Sequence, residues 1–439
     1  MASYRGTSRG FGTRGSWRGQ DSQTRTSTRS RAENLQLPTP TPPRPFGPTI
    51  DSVNSKTLLI EEDAPTIRDV EYVASYNWLD GKSPIILVPG QYLAFCVNPY
   101  RYPIPPANMP NHAGSPPAWT PPVEDLQLKP DSGAVFRDIN AARYPSYPLE
   151  PVFRSLKAMQ PQFDLQSVDI VGCGSTIGNL LRFAGSQSKP FRFDIDVVED
   201  TVLFVRKESS PTELITDLRG YGHTFPESYT TWDPEVRNSC SHQRVVRYEF
   251  GGLKFLVRSE TDGYVRGPGQ DKPNVGRSTE PLSLDDALGI ASLSPSVVDA
   301  GHELEVRLQG VKIPQNMIFD LKTRASNRTF DMEDILPRLW VNQTSKFLIA
   351  YHKFGVFNQP RVANVRQQVL NWESGNSALL ARFHAVVKRI VDVIRDSEDQ
   401  QCEVSWDGQG SLYITKQIGE GRRALPFNVV QSFEVCGKV

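Results

Sequence analysis

The chain has 439 residues, 38% hydrophobic and 22% charged, which suits one large soluble domain or two ordinary ones. Lys and Arg balance Asp and Glu at 49 each, so no global basic field points to nucleic acid. Five cysteines lie far apart with no Cys-x-x-Cys, which argues against a disulfide framework or a zinc ribbon and for a reducing compartment, nucleus or cytoplasm. With no apolar h-region at the N-terminus and no run of about 18 apolar residues, neither the usual secretion nor a membrane partner is expected.

Residues 1–19, MASYRGTSRGFGTRGSWRG, repeat Arg-Gly four times with Tyr4, Phe11 and Trp17 between. Such a stretch cannot bury enough surface to offset its ordering entropy, so residues 1–50 are expected to be a disordered tail. Guanidinium groups and aromatics together can contact RNA phosphates and bases, and a solubilising role is the other reading. PTPTPPRPFGP (38–48) reads as an extended spacer.

A single folded domain is expected from residue 67 to 439. VEYVASYNWL (70–79) and SPIILVPG (83–90) read as strands, and prolines crowd 98–122, which reads as an insertion. LEPVFRSLKAMQ (149–160) and STIGNLLRFAG (175–185) carry helical apolar spacing, with Ser175 or Thr176 as cap. FRFDIDVV and TVLFVRK follow as strands about Glu199-Asp200. RVVRYEF (244–250) and LKFLVRSETD (253–262) form a hairpin across Gly251-Gly252. Residues 263–300 read as a second insertion. ELEVRLQ (303–309) and NMIFDLKTR (316–324) read as a strand pair, and 332–351 as mostly helical. SALLARFHAVVKRIVDVI (377–394) has the stripe Leu380, Phe383, Val387, Ile390 and Ile394 of a core helix, and strands return around SLYITKQ. The expected fold is mixed α/β: a central mixed β-sheet flanked by helices, with a disordered N-terminal tail.

On an alternating strand, Ile318, Asp320 and Lys322 share one face, and Glu260 and Asp262 share a face of the preceding hairpin. If those strands meet, three carboxylates and a lysine converge. Mg²⁺ or Mn²⁺ takes such oxygen ligands, and the lysine could orient water or stabilise charge on a phosphoryl group. Acid-x-acid and acid-x-Lys each recur by chance in a chain this rich in acids. Asp80-Gly-Lys82 is such a match inside a turn, so salt bridges at strand ends are the competing explanation.

Asp262 followed by Asp320-Leu321-Lys322 is similar to the PD-(D/E)xK nuclease signature. With Glu260-Thr-Asp262 and LPRLWVNQTSKFLIAYHKFGVF, the chain resembles the 5′-end decapping exoribonuclease (DXO) family. RDVEYVASYNWLD, GCGSTIGNLLRF, GYGHTFPESYTTWD and FDLKTR resemble a set of filamentous-fungal proteins more closely still. The resemblance implies a metal-dependent hydrolase acting on RNA 5′ ends by decapping or 5′-end degradation. It implies Asp262, Asp320 and Glu260 as metal ligands with Glu227 as a further acid, Lys322 on the attacking water, and Gln343 on a helix contacting substrate. Two positions depart from the pattern. Gly174 stands where the family has an arginine in W-R-G, and Pro226 stands at the acid of G-x-x-F-E, with Glu227 one residue later. The runner-up is a non-catalytic RNA- or protein-binding module that keeps the fold.

His223 and His242 lack metal-ligand spacing and read as structural, as do Trp340 and Trp372. VGCGSTIGN lacks the Lys-Ser/Thr ending of a phosphate loop, and Cys173 has no partner that would make it a nucleophile. Geranylgeranyl pyrophosphate synthetase, a label some of the fungal set carry, is disfavoured. Prenyl synthases are nearly all-helical and use DDxxD, whereas Asp285-Asp286 here precedes Ala-Leu-Gly.

Overall fold

The folded chain begins before residue 67. The structure is a computed structural model that describes residues 46–60, 64–90, 114–267, 303–309, 312–398, 400–419 and 421–436. The Arg-Gly tail and most of both expected insertions lie outside the described residues. β1 (Thr49–Val53) pairs antiparallel with the strand Leu412–Lys416 near the other end of the chain. β2 (Ile67–Leu79) and β3 (Ile85–Val88) form where Val, Ile and aromatic residues predicted them. β4 (Ala118–Trp119) and β5 (Val135–Phe136) lead to α1 (Ile139–Arg143) and α2 (Glu150–Met159).

β6 (Ile170–Cys173) runs straight into α3 (Gly174–Ala184), whose N-cap is Cys173 rather than Ser175 or Thr176. β7 (Phe191–Val198) and β8 (Thr201–Arg206) flank Glu199, which takes φ +53° in the tight turn. β9 (Leu214–Ile215), α4 (Thr224–Tyr229) and β10 (Thr230–Thr231) precede the long hairpin of β11 (Ser239–Phe250) and β12 (Leu253–Glu260). Gly251 and Gly252 both have positive φ, as a two-residue turn matched to strand twist requires.

Two expectations give way in the next stretch. After β13 (Gly263–Tyr264), β14 (Glu305–Leu308) pairs parallel with β3 at a sheet edge, not with β15 (Ile318–Ala325). Its alternately exposed and half-buried residues suit an edge, while Ile318 to Leu321 are buried on both faces and need neighbours on both sides. The helix expected over 332–351 stops at α5 (Leu336–Asn342), because Gln343 turns into the left-handed region at φ +52°. KFLIAYHK then forms β16 (Lys346–Lys353), parallel to β15. β17 (Val356–Phe357), β18 (Ala363–Asn364), α6 (Arg366–Gly375), α7 (Ser377–Arg395), β19 (Gln401–Trp406), β20 (Leu412–Lys416) and α8 (Phe427–Cys436) complete the chain.

The strands form one large mixed sheet, ordered β1-β20-β19-β7-β8-β6-β12-β11-β2-β3-β14, and a smaller one, ordered β10-β4-β13-β15-β16-β17 with β18 also on β16. β4 and β13 therefore place one stretch of each expected insertion, the end of 98–122 and the start of 263–300, inside a sheet. On one face of the large sheet, Ile177 and Leu180 of α3, Leu339 and Trp340 of α5, and Phe383, Val387 and Ile390 of α7 bury Phe204 and Val246. On the other, Val152, Phe153 and Leu156 of α2 and Val429 of α8 bury Val73, Leu203 and Leu256. All five stripe residues of α7 are buried, as expected. Trp340 is likewise a packing residue. Its Nε1 donates to Glu373 Oε1 at 2.8 Å, and the same oxygen accepts the Ile67 N–H at 2.9 Å, tying α5, α6 and β2 together.

The hairpin turn supplies a stability test. A Cβ on Gly251 would lie 2.3 Å from the ring of His384, while one on Gly252 would meet open space. Gly252→Ala should cost only the left-handed backbone term, about 1 kcal/mol. Gly251→Ala should cost clearly more, because the half of α7 that carries His384 must shift. Chemical denaturation of both variants measures the difference, and equal losses would remove the steric contribution.

Candidate active site

Two of the three acids expected to converge, Asp262 and Asp320, meet where the chain passes from one sheet to the other. Glu260 does not join them in a three-carboxylate group, because β12 ends at Glu260 and Asp262 lies between the two strands instead of on the same one. β12 ends at Glu260 in the large sheet, Thr261 donates its N–H to His242 O at 3.0 Å, and β13 enters the small sheet at Gly263. β13 pairs antiparallel with β15 through Gly263↔Phe319 and Tyr264↔Ile318. One more step of that register sets Asp262 opposite Asp320, facing the same way. The two carboxyls are within hydrogen-bond reach, and Asp262 Oδ2 also accepts the Leu321 N–H at 2.7 Å.

Two like charges in contact need compensation, and Arg338 provides it. Its Nη2 donates to Asp320 Oδ1. Arg338 lies in the first turn of α5, where the helix dipole disfavours a cation, so it holds its place through the acids it faces. Burial, and then the charge of Asp320, push the Asp262 carboxyl well above the usual carboxylate range. Glu260 is raised as well, by crowding of its carboxyl away from water and by Asp138, with Arg258 and Arg338 opposing and Asp320 adding to the rise. Glu260, Asp262 and Asp320 thus share one electrostatic neighbourhood. Arg338 was missed at the sequence level. The available signal was an arginine placed against a helix dipole just after Leu336-Pro337.

Packing holds this geometry from behind. Phe225 and Tyr229 of α4 stack at 4.2 Å between ring centroids and pack with Phe319, the residue beside Asp320. The β15–β16 ladder sets Asp320 opposite Phe347, which is also buried.

The other expected site residues lie apart from this contact. Lys322 follows Asp320 on the same face of β15 by alternation; its side chain is exposed and has no ion pair or hydrogen bond among the described residues. Glu227 sits on α4, where burial raises its carboxyl and the charges acting on it are His223 and Asp131. Asp131 is engaged with the start of α4, accepting from Thr224 N at 2.9 Å and from His223 N at 3.2 Å. Gln343 is the left-handed C-cap of α5. Its side-chain amide donates back to Trp340 O, and its own carbonyl accepts from Gln315 Nε2 at 3.0 Å. It makes no hydrogen bond to the acids. His242 is a buried structural group: Nδ1 meets Asn77 Oδ1 at 2.6 Å, and burial and Arg244 hold its pKa well below the usual value.

A Cβ on Gly174 would lie 2.1 Å from Asn342 Oδ1. The buried Asn342 amide fills the space that a side chain at 174 would need, and its Oδ1 has no hydrogen-bond partner.

The donor set bears on a divalent ion. Among the described residues, no three His, Cys, Asp or Glu side chains are grouped closely enough to hold a metal. Mg²⁺-type ions are commonly held by one or two carboxylates plus water and substrate oxygens, and the Asp262–Asp320 pair fits that chemistry.

A large and a small mixed sheet joined where β12 passes into β13, flanked by helices, give a Rai1-like fold. The chain superposes on Candida albicans Rai1 in complex with pU5-Mn²⁺ with a TM-score of 0.52 at 9% identity, covering 88% of this chain and 99% of that one. Against Scheffersomyces stipitis Rai1 in complex with (3′-NADP)⁺ and calcium ion, the TM-score is 0.52 at 11% identity, covering 90% and 99%. Another S. stipitis Rai1 structure gives a TM-score of 0.51 at 10% identity, covering 88% and 97%. At these identities the likeness is one of fold, the fold expected from the sequence. No curated protein matches the chain. The chain belongs to the family described as Domain of unknown function (DUF8563), whose model matches residues 60–413.

The raised Asp262 has a pH signature. Its folded-state pKa lies above the unfolded value, so the folded protein binds the extra proton, and stability falls as pH rises from the usual carboxylate range through the folded pKa. In metal-free buffer the melting temperature should therefore drop across that window, and Asp262→Asn should flatten the drop. Arg338→Gln should steepen it, since the acids lose their counter-charge. Wild-type and Asp262→Asn profiles of equal slope across this range would exclude the paired-acid geometry.

Proposed function

We propose that this chain is a metal-dependent hydrolase acting on RNA 5′ ends, of the decapping or 5′-3′ exoribonuclease type, with Mg²⁺ or Mn²⁺ as its ion. The observation that carries the reading is the contact of Asp262 with Asp320 at the junction of the sheets, with Glu260 in the same field. Asp262 and Asp320 would hold the ion, with Glu260 completing the oxygen set through water. A divalent cation there supplies Lewis-acid polarisation of a phosphodiester or pyrophosphate. Lys322, whose Cα is about 7 Å along the same strand face from that of Asp320, carries an exposed ammonium suited to charge developing on phosphoryl oxygens. Arg338 balances the acids and keeps Asp320 oriented between turnovers.

The fold likeness to Rai1 structures that hold pU5-Mn²⁺ or (3′-NADP)⁺ and calcium supports the same class of substrate and ion. Gly174, filled in by Asn342, leaves no arginine there for a 5′ phosphate, so end recognition must use other groups. The Arg-Gly repeats of residues 1–19 add affinity for RNA rather than catalysis. A second reading, a binding module that keeps the fold without turnover, is favoured by one observation: Arg338 already compensates Asp320.

The test separates the two. Wild-type protein should cleave 5′-monophosphorylated or capped RNA with Mn²⁺ and melt higher when Mn²⁺ is added. Asp320→Asn, nearly isosteric, should lose both effects while folding normally. Lys322→Met should keep the Mn²⁺-induced stabilisation but turn over roughly 100-fold more slowly, the scale of one lost transition-state donor. If the wild type neither gains stability with Mn²⁺ nor cleaves any of these RNAs, the binding-module reading replaces the enzyme.

A further inference from the structure

The acid pair sits at one edge of the large sheet, and a separate set of cations sits at the same edge. β6 is parallel to both β12 and β8, with Cys173 opposite Arg258 and Gly172 opposite Phe204. The C-terminal ends of these three strands, hence Glu260 and Arg206, therefore lie level. β7 is antiparallel to β8, with Phe193 opposite Arg206, so the chain enters β7 at this edge as well. α3 leaves from the edge at Gly174 and the loop after it returns there at residues 185–190. Arg206 stands two strand spacings from β12, about 10 Å.

Lys189 in the returning loop, two residues before β7, lies within electrostatic range of Arg182 near the end of α3, Arg206 at the end of β8 and Arg137 before α1. Two of the four are neutralised: Arg206 pairs with Glu208 at 2.5 Å, and Arg137 with Glu213 at 2.6 Å. Arg182 and Lys189 are not. Neither forms an ion pair with an acid among the described residues. Arg182 Nη2 donates only to the neutral Asn179 Oδ1, and its buried Nε has no partner. The Lys189 ammonium is depressed, first by Arg182 and then by burial, Arg137 and Arg206. Repulsion at Lys189, only partly offset by Glu208, is a cost to the folded chain, and a polyanion would relieve it.

We infer that Arg182 and Lys189, with Arg206 and Arg137 beside them, form a phosphate track that holds the body of a single-stranded RNA whose 5′ end lies at Asp262 and Asp320. The inference rests on the proposed hydrolase reading for its direction, and it supplies the backbone contacts that Gly174 leaves out. A single-stranded nucleic acid is favoured over an acidic peptide because guanidinium groups match phosphate oxygens two at a time, and because the track runs level with an acid site suited to phosphoryl chemistry.

The experiment measures binding of a short 5′-labelled oligoribonucleotide to the full chain in EDTA, so that turnover does not intervene, across about 50 to 200 mM salt. Lys189→Gln should weaken binding and reduce the slope of log affinity against log salt by about 0.7, and Arg182→Gln/Lys189→Gln by about 1.4, one released counterion per lost phosphate contact. Lys189 is exposed, so its single variant remains informative if the double variant fails to fold. The melting temperature of Lys189→Gln should hold or rise as repulsion is removed.

Unchanged affinity and slope in Lys189→Gln would overturn the track, as would polyglutamate of equal length competing as well as RNA. The two readings fail separately. Wild-type RNA binding that depends on Lys189 without Mn²⁺-dependent cleavage would sink the hydrolase and leave the track. Normal cleavage with an unchanged KM in Lys189→Gln would sink the track and leave the hydrolase.

Discussion

Asp262 and Asp320 are forced into contact by β-sheet register, and much of the site follows from managing that contact. Two carboxylates this close cannot both stay charged without help, so one proton is held tightly and a cation is drawn in. The Leu321 N–H and the Arg338 guanidinium supply the help, one from β15 itself and one from α5. The ion pair in turn explains why an arginine sits at the wrong end of a helix dipole. Behind it, the aromatic stack of α4 on Phe319 keeps β15 from sliding out of register, and a one-residue slip would turn Asp320 to the opposite face.

Parallel strands give the rest of the site its location. Antiparallel neighbours end at opposite edges, but β8, β6 and β12 run together and finish together, so their termini gather functional groups on one rim. Ligands in open α/β sheets generally bind outside the carboxyl ends of strands. Here that rim carries acids at the end of β12, the ion pair Arg206–Glu208 at β8, and Lys189 in the loop returning after α3.

The local elements were legible because they are written in periodicity. The apolar stripe of α7, the Gly-Gly hairpin and the matched phase of Asp262 and Asp320 need only neighbouring residues to be read. Long-range pairing is not written that way. Nothing within ELEVRLQ says that it joins β3 instead of β15; the choice depends on which strand is buried on both faces. The run 332–351 misled because Leu, Trp and Ile suit a helix as well as a strand, and the break depends on one residue, Gln343, adopting a left-handed conformation. That same turn commits Gln343 to the end of its own helix. Glu227 answers to Asp131, an acid 96 residues upstream that no local pattern links to it. The β1–β20 pairing escaped notice for a similar reason: TIDSV is too short to announce a strand until the far end of the chain supplies its partner.

The close approach of Gly174 and Asn342 makes those two positions a linked pair in the history of the chain. An arginine introduced at 174 alone would drive into a buried amide, and a smaller residue at 342 alone would open a void against α3 while gaining nothing. Each single step is harmful although the double change could be tolerated, so the path to an arginine-bearing site crosses a fitness valley. The space at 174 is thus set by the residue at 342, a constraint of packing between α3 and α5 and not of chemistry.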